Sequence, residues 1–316
     1  MELPICSICR KREAVTYQLH THLALCKECF VNDIIKRVEN EIKKYRLINQ
    51  NEKVLLAISG GKDSYTLLDV MSKIHDPSKL VALTLIEGIE GYNRDDVLDS
   101  IRIKTRSLGI DHIVLTLKEV VGASVDDFVR GIKYRGINIS PCTYCGIARR
   151  RAINIKAREL GVDKVATAHV LDDEAQTYVM NLLRGDMTRL VQAHPRGPQL
   201  SKLFVRKVKP LRKVYERETA IYAYLHGYKF QERECPYIIH RPTLRARIRD
   251  FLYRLELERP GSLLKLVEAL DETLDNYVLN YHKLPELPRC RICGEPTSYD
   301  RDLCKFCELL ISAGLI

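Results

Sequence analysis

Nowhere in the 316 residues is there a run of about 18 apolar residues, which excludes a helical membrane span. The opening Met1-Glu2-Leu3-Pro4-Ile5-Cys6 lacks the basic-then-apolar order of a secretory leader, so a cytoplasmic protein is expected. The chain carries no internal repeat, and the Walker A spacing G-x-x-x-x-G-K-S/T is absent. Acidic residues fall short of basic ones, 41 against 51, which leaves a net charge of +10 and a pI near 9.0. That balance favours a polyanionic partner, because each phosphate met by Lys or Arg releases condensed counterions. A hydrophobic content of 46% suffices for a real core and argues against wholesale disorder.

The basic residues are unevenly placed. Between Arg196 and Arg259 they outnumber the acids sixteen to seven. The densest stretch holds Arg241, Arg245, Arg247 and Arg249. A planar guanidinium matches phosphate oxygens in pairs, so these four are candidate RNA contacts.

Eleven cysteines in a cytoplasmic chain point to metal or redox chemistry instead of disulfides. They fall into two sets of four and one of three. Cys6, Cys9, Cys26 and Cys29 form two Cys-x2-Cys pairs near the start, and Cys290, Cys293, Cys304 and Cys307 form two more near the end. Two such pairs complete a tetrahedron, so a structural zinc is expected at each, with a rubredoxin-like iron as the rival ion. A segment of about 30 residues builds no core of its own, and bound zinc supplies the missing stability. The expected organisation is therefore an N-terminal zinc module over residues 1–32, a catalytic domain over 33–284 with a helical, basic C-terminal part, and a second zinc module over 285–316.

Between the modules the pattern alternates. Val54–Ile58, Leu80–Ile86, Ile113–Leu117 and Lys164–Ala168 read as buried strands. Helices are expected over Tyr65–Ile74, Asp95–Leu108, Ile147–Leu160 and Asp172–Leu183, and mostly helix beyond Arg212. Such alternation implies an α/β fold with a doubly wound parallel sheet, whose ligands sit beyond the carboxyl ends of the strands.

At the end of the first strand stands Ser59-Gly60-Gly61-Lys62-Asp63-Ser64. Two glycines let the backbone turn tightly and expose its N–H groups, and Ser64 can cap the helix whose N-terminus faces bound phosphate. At the end of the fourth strand stands Ala168-His169-Val170-Leu171-Asp172-Asp173. Acids at a helix start serve as caps, as magnesium ligands or as groups that position an attacking oxygen. In the middle of the chain Cys142, Cys145 and Cys235 are one thiol short of a closed tetrahedral site. Cys142 and Cys145 precede a basic helix that carries Arg149, Arg150 and Arg151. Three thiols suit either an iron–sulfur cluster with one open iron or a persulfide resolved through a disulfide.

The hexapeptide resembles the PP-loop of the N-type ATP pyrophosphatase superfamily. With the central Cys-x2-Cys pair, the His169–Asp173 segment, Asn181-Leu182-Leu183-Arg184-Gly185-Asp186, Cys235 and both terminal quartets, the likeness narrows to the TtcA/TtuA family of tRNA 2-thiolation enzymes. The TtuA-like branch, which includes the eukaryotic wobble-uridine thiolases, is similar over nearly the whole length. This resemblance implies an ATP-dependent tRNA-uridine 2-sulfurtransferase. Ser59, Gly61, Asp63 and Ser64 would then hold pyrophosphate or its magnesium, and Ala57, Ile58, Gly60, Leu83 and Ala168 would flank ATP. Arg149 would approach the phosphates, Asp173 would be the essential acid, and Cys142, Cys145 and Cys235 would hold a 4Fe-4S cluster that carries sulfide. A ubiquitin-like protein with a C-terminal thiocarboxylate, or free sulfide, would donate the sulfur, and a homodimer is expected. The residues alone leave open whether Lys62 and His169 touch phosphate. They also leave open a cluster-free persulfide route, a lysidine synthetase, or a zinc-ribbon RNA-binding protein with a vestigial nucleotide site.

Overall fold

In the computed structural model, which describes residues 4–92, 95–238, 243–280 and 285–316, the chain begins with an antiparallel hairpin. Strands β1 (Thr16–Gln18) and β2 (Leu23–Leu25) lead into the long helix α1 (Lys27–Tyr45). Strand and helix then alternate through β3 (Val54–Ala57), α2 (Lys62–Ile74), β4 (Leu80–Ile86), α3 (Asp95–Ser107) and β5 (Asp111–Thr116). Three helices follow: α4 (Leu117–Val121), α5 (Val125–Tyr134) and α6 (Pro141–Glu159). After β6 (Lys164–Thr167) come α7 (Leu171–Leu183), α8 (Met187–Ala193), β7 (Arg206–Val208) and α9 (Glu216–Leu225). The chain closes with α10 (Leu244–Glu258), α11 (Ser262–Asn280) and α12 (Lys305–Ala313). Among the described residues no helix is long and apolar enough to cross a membrane.

Strands β3 to β7 form one parallel sheet in the order β5-β4-β3-β6-β7. The chain winds outward from β3 through β4 to β5, then returns to the other side of β3 with β6 and β7. The topological switch point therefore lies between β3 and β6, where ligands of doubly wound sheets bind. Alternation along the strands serves two cores. Val54, Leu56 and Ile58 pack with α1, α2 and Tyr222 of α9 on one face. Leu55, Leu83 and Val165 pack with α5, α6 and α12 on the other. Leu171, Tyr178, Leu252, Val267 and neighbours make a third, all-helical core beside the sheet.

The terminal modules are built into these cores. Cys6 and Cys26 belong to the first face and Cys290, Cys304 and Cys307 to the second. Helix α1 runs unbroken through residues 32 and 33, with Cys29 in its first turn and Tyr45 buried at its far end. At the other side α12 lies against α5 so closely that a Cβ on Gly131 would meet the Ala313 carbonyl oxygen at 2.2 Å. Glycine is required there by contact, not by conformation.

Four local expectations change. The basic helix starts at Pro141 instead of Ile147, because Ser140 and Pro141 supply its N-cap and N1 residues. Cys142 and Cys145 consequently lie within the first turns of α6, not before it. The third strand begins at Asp111 and stops at Thr116, whose hydroxyl caps α4 in a reciprocal pair with Glu119. Strand β7, with one apolar residue in three, was not expected at all. Gly61, not Ser64, is the N-cap of α2.

Candidate active site at the strand ends

The loop after β3 is pinned to its neighbours before any ligand arrives. Ile58 N–H donates to the Leu83 carbonyl at 2.9 Å, and Ala57 stands beside both Leu83 and Thr167 in register. Gly60 has φ +82°, and a Cβ there would come within 2.6 Å of Val97. Ser64 Oγ folds back on the loop, accepting from Gly60 N–H at 3.1 Å and donating to the Gly61 carbonyl at 2.8 Å. Ser59 Oγ accepts from Gly61 N–H at 3.5 Å. The loop thus turns around the start of α2, where helix N–H groups and the positive end of the dipole favour an anion.

Lys62 and Asp63 are tied to α9, an element that the sequence reading did not connect with the loop. Lys62 Nζ lies 3.3 Å from Asp63 Oδ2 and 2.9 Å from Glu216 Oε1. Thr219 Oγ1 donates to Asp63 Oδ1. Burial opposes the Lys62 charge, but Asp63 and Glu216 more than offset it and hold the ammonium above its ordinary range. The same α9 start reaches the second signature, since Glu216 N–H donates to Asp172 Oδ2 at 2.7 Å. Burial pushes the Asp172 carboxyl up to about 6, despite that hydrogen bond. Burial also raises Asp63 and Asp173 above the usual carboxylate range. Burial holds these carboxyls up even with Lys62 beside Asp63 and Arg245 beside Asp173, so a further cation at either is favoured.

Asp173 Oδ2 caps its own helix through Val170 N–H at 3.3 Å. Its other oxygen lies 4.0 Å from Arg245 Nη1. Arg245 itself donates to Gln176 Oε1 at 3.1 Å and Thr177 Oγ1 at 3.3 Å. Of the four candidate RNA-contact arginines, Arg245 therefore faces Asp173, Arg249 lines a small pocket with Asp172 and Glu216, and Arg247 is exposed on α10. Arg241 lies outside the described residues. His169 stands at the lip with Nδ1 2.9 Å from Thr167 Oγ1. Ala168 precedes it, one residue beyond β6, whose last residue Thr167 pairs with Ala57.

Cys235 returns to this region by a traceable route. Gln231 N–H donates to the Gly60 carbonyl at 2.9 Å, and its side-chain amide donates to the Tyr92 carbonyl at 2.7 Å. The segment is thereby laid across the loop, and Tyr237 is anchored on α5 through Asp126 at 2.8 Å. Cys142 Sγ lies 3.8 Å from the Tyr237 carbonyl oxygen. Cys145 and Cys235 pack against the second-face core, with Cys142 as a neighbour of both. Nearby arginines draw a thiol toward its ionised form, but burial wins at Cys145: it pushes the thiol up to about 11 against the pull of Arg149. Arg149 Nε rests 3.5 Å from Glu87 Oε1 at the end of β4. Nothing in the sequence marked Glu87, Glu216 or Thr219, because only the tertiary fold brings them to the site.

The quartets differ from this trio. Among the described residues, Cys6, Cys9, Cys26 and Cys29 bring their sulfurs within 4.8 Å of one another, as do Cys290, Cys293, Cys304 and Cys307; the central three do not. Each quartet suits one tetrahedral ion.

A parallel sheet with a Ser-Gly-Gly-Lys-Asp-Ser loop at its switch point and buried carboxyls beside it defines a PP-loop nucleotide-binding enzyme. The family model described as PP-loop domain matches residues 32–255, and that of the 2-thiouridine synthetase TtuA N-terminal LIM domain matches residues 5–31. A probable sulfurtransferase of Methanocaldococcus jannaschii is 32% identical over 98% of this chain and 88% of its own length. The cytoplasmic tRNA 2-thiolation protein 1 of Danio rerio is 33% identical over 96% and 87%. Among solved structures, the U34-tRNA thiolase NcsA from Methanococcus maripaludis, determined with its 4Fe-4S cluster, superposes with a TM-score of 0.77 at 28% identity. That match covers 98% of this chain and 97% of the other. The chain belongs to the family of PP-loop tRNA-thiolating sulfurtransferases.

Proposed function

We propose that this protein makes 2-thiouridine in tRNA by adenylating the uridine C2 oxygen with ATP and then displacing AMP with sulfur. The observation that carries the reading is convergence. The phosphate loop, the Asp172–Asp173 helix start and the segment bearing Cys235 are hydrogen-bonded around one switch point. A uridine carbonyl oxygen is a poor leaving group, and adenylation makes it a good one.

In this reading Gly60, Gly61 and Ser64 present the loop to the β- and γ-phosphates, with Ser59 beside them. Ala57, Ile58, Leu83 and Ala168 flank the nucleotide. Asp63 and Asp173 would hold magnesium, whose charge would favour the ionised form that burial opposes in both. Arg149, now 3.5 Å from Glu87, swings to the α-phosphate as the nucleotide enters. Cys142, Cys145 and Cys235 would hold a 4Fe-4S cluster, which with three protein thiolates would supply an iron open to a sulfur ligand. The residues fit such a group: among the described residues the three thiols are not gathered as the quartets are, and Cys145 is half-buried against the core. Zinc occupies the two quartets. Arg245, Arg247 and Arg249 meet tRNA phosphates along α10. A thiocarboxylated ubiquitin-like protein or free sulfide donates the sulfur, and the protein works as a homodimer in the cytoplasm.

The test is anaerobic turnover of unmodified tRNA with ATP, magnesium and sulfide, read by nucleoside mass spectrometry and pyrophosphate release. One 2-thiouridine, one AMP and one pyrophosphate per turnover are expected. Thiolation without ATP consumption would overturn the reading.

A further inference from the structure

Two concave regions run together along the β7 edge of the sheet. The larger, about 600 Å³, lies between α6, α8, β7 and the C-terminal cysteine module, and its walls include Arg150, Arg151, Arg189, Lys207, Arg301 and Lys305. The smaller, about 320 Å³, is lined by Arg184, Lys209 and Arg245 and shares Arg189 and Gln192 with the first. Cations therefore form a continuous path from Arg245, 4.0 Å from Asp173, to the far module.

The acids on this path are already taken. Asp186 lies 3.2 Å from Arg189, and Glu295 is paired with Arg158. Among the described residues Arg150, Arg184 and Lys207 have no acidic partner. Lys207 and Arg150 are exposed to the cleft, yet partial desolvation by its walls, then the neighbouring charges of Arg150 and Lys209, push the Lys207 ammonium down to about 8. Partial desolvation, then Arg149, lower Arg150 in the same way. Cations crowded in a cleft without counter-charge are a standing cost that an anion removes.

The cleft also offers ring faces. Phe204 and Tyr299 line it with 37% and 50% of their surface exposed. A cationic wall with exposed aromatic faces is the arrangement that takes single-stranded nucleic acid, whose phosphates and unstacked bases need one each. A duplex stacks its bases inward and leaves such rings without partners.

We propose that this cleft, walled by the C-terminal cysteine module, is the path of an unpaired RNA strand to the active site, with Arg150, Lys207 and Arg184 on phosphates and Tyr299 and Phe204 under bases. The inference rests on the proposed tRNA substrate. It gives the module a second role besides closing the second-face core. The wall is held in place by Arg151, whose Nη1 donates to Cys293 Sγ at 3.3 Å, and by Arg158, whose Nη1 lies 3.1 Å from Glu295 Oε2.

The experiment is titration of the full-length protein with an unmodified tRNA transcript over a range of salt, for wild type, the double variant Arg150→Glu/Lys207→Glu, Tyr299→Ala and Tyr299→Phe. The double variant should weaken binding at least about tenfold and lower the slope of log K against log salt by about 1.4, two single-strand phosphate contacts. Tyr299→Ala should weaken binding about fivefold or more without changing the slope, and Tyr299→Phe should leave it unchanged. Metal content and ATP affinity equal to wild type establish that the variants are folded. Hydrogen exchange of the wild type, independent of any variant, should show RNA protecting residues 200–207 and 295–306. Wild-type affinity and slope in the double variant, or no protection of those segments, would overturn the path while leaving the substrate reading intact. Failure of wild-type protein to bind tRNA would defeat the substrate reading itself. Normal tRNA binding, with turnover lost only when a protein donor replaces inorganic sulfide, would make the cleft a protein dock and would also overturn the proposal.

Discussion

The terminal quartets and the central trio use the same device and finish it differently. In all three a Cys-x2-Cys pair opens a helix: Cys26 and Cys29 at α1, Cys304 and Cys307 at α12, Cys142 and Cys145 at α6. A helix start turns N–H groups toward the thiols, but burial outweighs that pull at Cys29, Cys304, Cys307 and Cys145. In each quartet a tight turn then brings in a second pair, with Arg10 N–H 3.0 Å from the Cys6 carbonyl and Gly294 N–H 2.9 Å from that of Cys290. Burial opposes ionisation of Cys6 and Cys290, yet backbone hydrogen bonds draw both thiols down to about 6. The trio receives a single Cys235 on a loop; burial raises Cys145 there, as it raises Cys29 and Cys307 within the quartets, so what sets the trio apart is its missing fourth thiol. A closed set stabilises the fold, whereas an open set leaves a position for chemistry.

The sharpest way to break this comparison is to remove one thiol from each kind of site. Cys235→Ala should abolish thiolation, a loss of orders of magnitude in rate, while zinc content and melting temperature stay near wild type. Asp63→Ala or Asp173→Ala should reduce turnover by at least about a hundredfold, because positioning and metal are lost together. These two variants should keep every metal, which separates activation of the oxygen from supply of the sulfur. Near-normal turnover by both at saturating ATP would remove the loop from the mechanism. Cys9→Ala should do the opposite of Cys235→Ala: one zinc lost, iron retained, and Tm lowered on the order of 10 °C through lost folding energy in the first-face core. Calorimetry with metal analysis reads both outcomes.

The smallest expected effect is a control on pH. His112 has one ring nitrogen 2.9 Å from Thr84 Oγ1 and the other buried without a partner. Burial, with Arg102 nearby, pushes its pKa from 6.5 down to about 4. The folded state thus binds fewer protons than the unfolded state between those values, so this stability is full above about pH 6.5 and lost as pH falls toward 4. His112→Gln should flatten the dependence of Tm on pH across that window without altering metal content. A slope equal to wild type would assign the acid sensitivity to other groups.

What could be read from the sequence follows a physical divide. The quartets, the loop after β3 and the four longest strand signals depend on local spacing, and the structure places them at the expected positions with small shifts at their ends. Helix α6 starts six residues before the expected Ile147, because Ser140 and Pro141 supply its N-cap and N1 positions. Strand β7 escaped because Arg206-Lys207-Val208 has no apolar run; pairing with β6 makes it a strand. The direction of Arg245 toward Gln176 and Asp173 was equally hidden, since it depends on α10 packing against α7. Glu216 and Thr219 look in sequence like an ordinary helix start. Only the fold shows them holding Lys62, Asp63 and Asp172.

The central claim is that eleven thiols divide into two closed sets and one open set with different metals. Anaerobic reconstitution of the full-length protein, followed by metal analysis, Mössbauer spectroscopy and a thiolation assay on the same sample, tests it most directly. The account predicts close to four irons and two zincs per chain, a 4Fe-4S spectrum with one distinguishable iron, and loss of the iron alone in Cys235→Ala. Full thiolation by rigorously iron-free protein would contradict it and assign the sulfur to a cysteine persulfide.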